Sequence, residues 1–205
     1  MSPTQPAAVP TTRMTVDEYW QFVNRPENAD RFFELRKGEV IELSRPTTLH
    51  GIVAANIGTD LTIYARRIRK GFVTVNDAGV VLEEKPGTVV GPDVAYFVGI
   101  KRFDEVPPRW SDRPPVLAVE VLSPNDKPGK VTRKVDDYLN GGVKVVWVVD
   151  YEERNVTVYR SGQQLSVVNE GAEVSGDPEL PGFVCPVNQF FILPEDDDSD
   201  PTPAA

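Results

Sequence analysis

Val116-Leu117-Ala118-Val119-Glu120-Val121-Leu122, the segment Lys130–Asn140, the pair Gly141-Gly142 and the run Lys144-Val145-Val146-Trp147-Val148-Val149 together decide the fold. The first piece is apolar at every position but one, as in a strand covered on both faces. In the second, Val131, Val135, Tyr138 and Leu139 recur at helical spacing. The glycine pair closes that helix, and the third piece is again a β-branched apolar run. Strand, helix and strand at this length predict a right-handed parallel crossover. The expected architecture is a single α/β domain built on a mixed sheet.

The flanks fit the same class. Thr15-Val16-Asp17-Glu18 has the capping-box pattern and opens a short helix through Val23, which Pro26-Glu27-Asn28 breaks. Phe32–Leu35 and Val40–Leu43, joined by Arg36-Lys37-Gly38-Glu39, read as a hairpin. A longer helix is expected over His50–Lys70, because Val53, Ile57, Leu61, Tyr64 and Ile68 share one face and Gly71 ends it. Strands follow at Phe72–Val75, Val80–Glu83 and Asp93–Val98. Val156–Arg160 with Leu165–Val168 forms a closing hairpin, and Phe183–Leu193 packs last. Residues 1–12 read as a Pro/Thr-rich disordered tail and Pro194–Ala205 as an acidic one, leaving 13–193 as the domain.

Glu120 is the residue least suited to its surroundings. By period two it shares a face with Val116, Ala118 and Leu122, and a carboxylate there suffers desolvation unless it is paired, protonated or bound to a cation. It is either a structural, salt-bridged glutamate or a metal ligand or acid/base group. Asp93, after Gly91-Pro92 and before an apolar strand, is either a turn residue or Glu120's partner. Two carboxylates on neighbouring strands suit a hard divalent cation. Lys130, Lys134 and Asp137 form a stripe beside the helix core, so Lys134 is either a solvated lysine in a charged helix face or a group that reaches the sheet end to neutralise a phosphate or orient an attacking water. Glu34 alternates with apolar neighbours and points either into the same cleft or to solvent. His50, the one histidine, is read as a capping or hydrogen-bonding group before a general base, and alone it cannot build a zinc site. The chain has no Walker phosphate loop, no Rossmann glycine fingerprint and no nucleophile-elbow serine.

These pieces, in this order, resemble the Uma-type putative restriction endonucleases of the PD-(D/E)XK nuclease superfamily. The resemblance rests on Leu117–Pro124, Lys134-Val135-Asp136-Asp137-Tyr138 and Gly141–Asp150. Met14–Tyr19, Phe33-Glu34-Leu35 with Gly38-Glu39, His50 and Pro92-Asp93 add to it. It implies a restriction-endonuclease-like fold, a mixed β-sheet flanked by helices. It also implies that Asp93 and Glu120 bind Mg²⁺ (or Mn²⁺). In the superfamily pattern a lysine follows the glutamate by two residues, where this chain has Leu122. The chain is similar to the migrated variant, in which a lysine of the next helix serves, and Lys134 matches it. Glu34 and His50 match family positions too.

The implied activity is metal-dependent hydrolysis of DNA phosphodiester bonds, with a homodimer suited to double-strand cleavage. Two other classes stay open: a nuclease-fold binding or assembly module with little turnover, and a metal-dependent phosphoesterase acting on small substrates. Charge bears on the choice. The 205 residues hold 31 Asp+Glu against 22 Lys+Arg, a net −9. That argues against a bulk polybasic binder, although five of the acids lie in Pro194–Ala205. Local positive charge can come from Lys127, Lys130, Arg133 and Lys134 beside the site. The second source, Arg66, Arg67, Arg69 and Lys70, also suits a helix C-terminus. A cleft without positive potential would count against DNA. One cysteine, Cys185, excludes an internal disulfide and reads as a small buried apolar residue. With no apolar run of spanning length and no export signal, the expectation is a cytoplasmic protein with no membrane partner.

Overall fold

The computed structural model describes residues 13–124 and 126–193; both predicted tails lie outside them. Three helices, α1 (Val16–Val23), α2 (Thr48–Ile68) and α3 (Pro128–Asn140), surround twelve strands. The strands are β1 (Phe32–Arg36), β2 (Glu39–Leu43), β3 (Phe72–Val75), β4 (Val80–Glu83), β5 (Thr88–Val90) and β6 (Val94–Phe97). They continue with β7 (Leu117–Val121), β8 (Val145–Asp150), β9 (Asn155–Arg160), β10 (Ser166–Asn169), β11 (Glu173–Ser175) and β12 (Val184–Pro186). The fold is α/β, as expected. Its strands divide among three sheets: six-stranded β10-β9-β8-β7-β6-β3, four-stranded β2-β1-β5-β4, and the ribbon β11-β12.

The crossover is present. β7 and β8 pair in parallel, Glu120 opposite Val148, with α3 between them in sequence; the other pairings of the six-stranded sheet are antiparallel, so that sheet is mixed. Both faces of β7 are covered, which explains its apolar sequence. Leu117, Val119 and Val121 join α2 and the C-terminal segment in one core that includes Trp147 and Phe190. Ala118, Val146 and Val148 face Val135 and Tyr138 of α3 in a second. Val116 lies before the strand and packs with the first core, not on the Glu120 face.

The four-stranded sheet also has two unlike faces. Leu35, Val40 and Val89 pack under Tyr19 and Phe22 of α1. The opposite face carries the register pairs Phe32/Leu43, Glu34/Ile41 and Arg36/Glu39. It opens onto a cleft toward β7 and α3. The hairpin turn Lys37-Gly38 has φ of 49° and 82°, the two left-handed residues of a type I′ connection.

Candidate functional site

The cleft, of about 870 Å³, is lined by the outward face of β1–β2, the ends of β6 and β7, the start of α2 and one side of α3. Lys134 is its hub. Its Nζ lies 2.6 Å from Glu120 Oε2 and 2.9 Å from Glu34 Oε1, and it donates a longer bond of 3.4 Å to the Gly91 carbonyl. The crossover brings Lys134 here: α3 packs over β7, so the helix stripe bordering Val135 and Tyr138 falls on the Glu120 end of the strand. Tyr138, on the core stripe, donates its hydroxyl to Glu120 Oε1 at 2.6 Å.

Glu34 points inward and is buried. It accepts from the Gly91 amide at 3.2 Å and from Arg36 Nε at 3.1 Å. Burial would raise its carboxyl, but Lys134 and Arg36 bring it below its ordinary value. Glu120 goes the other way: burial, with Asp93 and Glu34 nearby, raises it despite Lys134. Burial disfavours the Lys134 ammonium, yet Glu120, Glu34 and Asp93 hold it charged, above its ordinary range.

Asp93 stands one residue before β6. Its Oδ2 accepts the Val121 amide at 2.6 Å and its Oδ1 faces His50 Nε2 at 3.2 Å. His50 reaches it from the first turn of α2, where Thr47, not His50, is the capping residue: Thr47 Oγ1 accepts the His50 amide at 3.3 Å. Burial works against charging the imidazole, and the Asp93 hydrogen bond outweighs it, so the His50 pKa is raised.

The fourth carboxylate, Asp77, did not emerge from the sequence. Burial and the neighbouring Asp93 carboxylate push it up to about 6. Asn76 and Asp77 both adopt left-handed backbone, φ 66° and 53°, in the turn between β3 and β4. Such turns favour Asn and Asp, so nothing in the sequence sets the pair apart from ordinary turn chemistry. Gly91 is the other unforeseen part: a Cβ there would stand 2.5 Å from the Asp77 carbonyl oxygen.

Glu34, His50, Asp93, Glu120 and Lys134 therefore meet in one cleft. Lys130 and Arg133 line it further along α3, whereas Lys127, one residue before that helix, does not. Arg66, Arg67, Arg69 and Lys70 lie at the far end of α2 and stay out of the cleft. Arg67 instead donates to the Gly182 carbonyl, and Arg69 is the left-handed cap, two residues before the expected Gly71.

Seven Lys and Arg line the cleft against nine Asp and Glu, so it is not a basic groove. Among the described residues no three His, Cys, Asp or Glu side chains converge as a ready ligand set. The donors still suit a hard cation. Glu120 Oε2 meets the Lys134 ammonium and Asp93 Oδ1 faces His50, and Mg²⁺ typically takes one or two carboxylates and completes its shell with water and phosphate oxygens.

Residues 16–188 match the sequence profile of the family described as "Uma2: Putative restriction endonuclease". The chain also resembles the crystal structure of a putative nuclease belonging to DUF820 from Anabaena variabilis ATCC 29413. The TM-score is 0.70 at 20% identity, covering 87% of this chain and 97% of that one. No curated protein matches the chain. Among the described residues, no helix is long and apolar enough to cross a membrane.

Proposed function

The chain belongs to the Uma2 family, and on that premise we propose that it is a divalent-metal-dependent nuclease hydrolysing DNA phosphodiester bonds at Asp93, Glu120 and Lys134. One observation carries the reading: a part-buried lysine held by two carboxylates at the floor of an open cleft, with two further carboxylates beside them.

Asp93 and Glu120 would hold the metal, with Asp77 beside Asp93. When bound, the ion supplies charge to polarise the scissile phosphate and to acidify an attacking water. The chain's own groups do the rest. Glu34, pinned by Arg36 and the Gly91 amide, fixes the Lys134 ammonium. Of that ammonium's three donors, the one on the Gly91 carbonyl makes the longest contact, and that one is free to turn to a non-bridging phosphate oxygen. There it meets charge that grows as the water oxygen bonds to phosphorus. The attacking water gives up a proton to solvent, the P–O ester bond breaks, and the leaving oxygen takes a proton from solvent. Tyr138 and His50 hold the two carboxylates in orientation.

The near balance of charge lining the cleft favours a second reading, a phosphoesterase for substrates with few phosphates. Purified protein incubated with supercoiled plasmid, oligonucleotides and small phosphodiesters, with Mg²⁺ or Mn²⁺ or with chelator, tests both. Nicking or cleavage that needs metal and disappears in Glu120→Gln supports the nuclease. Turnover of small phosphodiesters alone supports the second reading. Cleavage that survives both chelator and Glu120→Gln overturns the proposed centre.

A further inference from the structure

Phe32 and Ile41 are an anomaly in this cleft. Both are more than a third exposed, 39% and 37%, although every neighbouring position on that face of β1–β2 is charged or part-covered. Phe32 stands opposite Leu43, and Ile41 opposite Glu34, so the three apolar side chains form one strip. The strip starts at the residue that holds Lys134 and runs outward along the cleft wall. β2 is the sheet's edge, so no further strand covers it. At its outer end Arg45 places its guanidinium 5.3 Å from the Phe32 ring centre, and among the described residues Arg45 has no ion pair.

The charge of the cleft narrows what this strip can receive. Duplex binding draws its affinity from many phosphate contacts and from a positive groove. Here positive and negative linings nearly cancel. A chain bound in this cleft must take much of its affinity from something other than phosphate neutralisation. An exposed aromatic ring within a part-apolar wall offers base stacking, which needs a base that is not paired. An arginine free to move over that ring offers the second face or a flanking phosphate.

We infer that Phe32, Ile41, Leu43 and Arg45 form a stacking platform for an unpaired nucleobase, making the ligand a single-stranded nucleic acid segment whose adjacent phosphate lies toward Lys134. This deepens the nuclease reading and rests on it for the position of the phosphate.

The test separates the two. Binding of a labelled DNA strand of about 12 nucleotides, of its RNA counterpart and of the duplex of the same sequence is followed by fluorescence anisotropy. The full-length chain is used with Ca²⁺ present. Single strands are expected to bind at least about ten-fold tighter than the duplex. Phe32→Ala should lose about ten-fold on single strands and little on duplex, and Phe32→Trp should keep the affinity. Thermal unfolding of both variants at the wild-type temperature excludes a folding defect. Equal binding of strand and duplex, or a Phe32→Ala variant that binds the single strand as the wild type does, overturns the platform. Strand binding that depends on Phe32 without metal-dependent cleavage upholds the platform and sinks the nuclease reading. Cleavage indifferent to Phe32 does the reverse. Preference between DNA and RNA strands identifies the natural sugar.

Discussion

Lys134 is the residue on which the site turns, because the buried Glu34 and the part-buried Glu120 share it. Removing one side of a buried ion pair leaves the other charge uncompensated and costs about 3 kcal/mol or more. Lys134→Met should therefore destabilise the fold by about that much in urea unfolding. Adding Glu120→Gln should recover most of the loss, since Glu34 keeps Arg36 while Glu120 has no second cation. Full loss in the double variant would show that packing, not charge, is responsible. Cys185 gives a prediction in pH. Burial, and the Asp60 carboxylate accepting from its thiol at 3.2 Å, push it up to about 12. An unfolded thiol ionises near ~8.5. The folded pKa is the higher one, so this contribution is intact below ~8.5 and is lost as pH rises toward 12, by about 1.4 kcal/mol per unit. Cys185→Ala should lose stability less steeply than wild type between pH 8.5 and 10 in denaturant titrations. Parallel curves would refute it. At this scale Glu120 was legible in the sequence because a carboxylate in an apolar strand needs a partner. Asp77 was not, because a polar residue in a turn carries no such contradiction.

Elements bring these residues together, and they were legible to different degrees. The capping box at Thr15, the hairpin and the β7–α3–β8 crossover follow from local chemistry, and each lies where the sequence put it. β5 escaped notice because three residues between Gly87 and Gly91 are too few to show alternation. Yet β5 joins β4 to β1 and so completes the second sheet, whose outward face is the cleft wall. Its loop into β6 is where the site is most tightly built: the Gly91 amide binds Glu34, its carbonyl meets Lys134, and its lack of a Cβ leaves the space that the Asp77 backbone fills. Gly91→Ala places a methyl against the Asp77 backbone, which has little room to yield. It should cost about 1–3 kcal/mol, as overpacking does. It should also weaken Mg²⁺ or Mn²⁺ binding by calorimetry more than a remote variant of equal stability cost. Unchanged metal affinity would mean that the Asp77 turn relaxes freely and has no part in the site.

Over the whole molecule, net charge and cleft charge give the same message by different routes. The −9 total first stood against a nucleic-acid enzyme, and the five acids of Pro194–Ala205 weakened that objection. The cleft restores it in a sharper form, because the cation groups divide by place. Lys130 and Arg133 line the site, Lys127 does not, and the basic end of α2 lies elsewhere. Sequence spacing could order these side chains along a helix but could not say which the sheets would leave in the open. Among the described residues the cleft's cations without an ion pair are Arg13, Arg45, Lys130 and Arg133. Four phosphate contacts are then the most that these unpaired rim cations supply. Each neutralised phosphate adds about 0.7 to the slope of log affinity against log salt for a single strand. With the phosphate that Lys134 meets, the contacts number at most five, so the slope for the bound oligonucleotide should be no steeper than about −3.5, with Arg45→Ala and Arg133→Ala each flattening it by about 0.7. Anisotropy titrations across a range of KCl measure it. A slope much steeper than that would mean that cations outside the cleft hold the strand, moving the substrate path away from Phe32 and toward the end of α2.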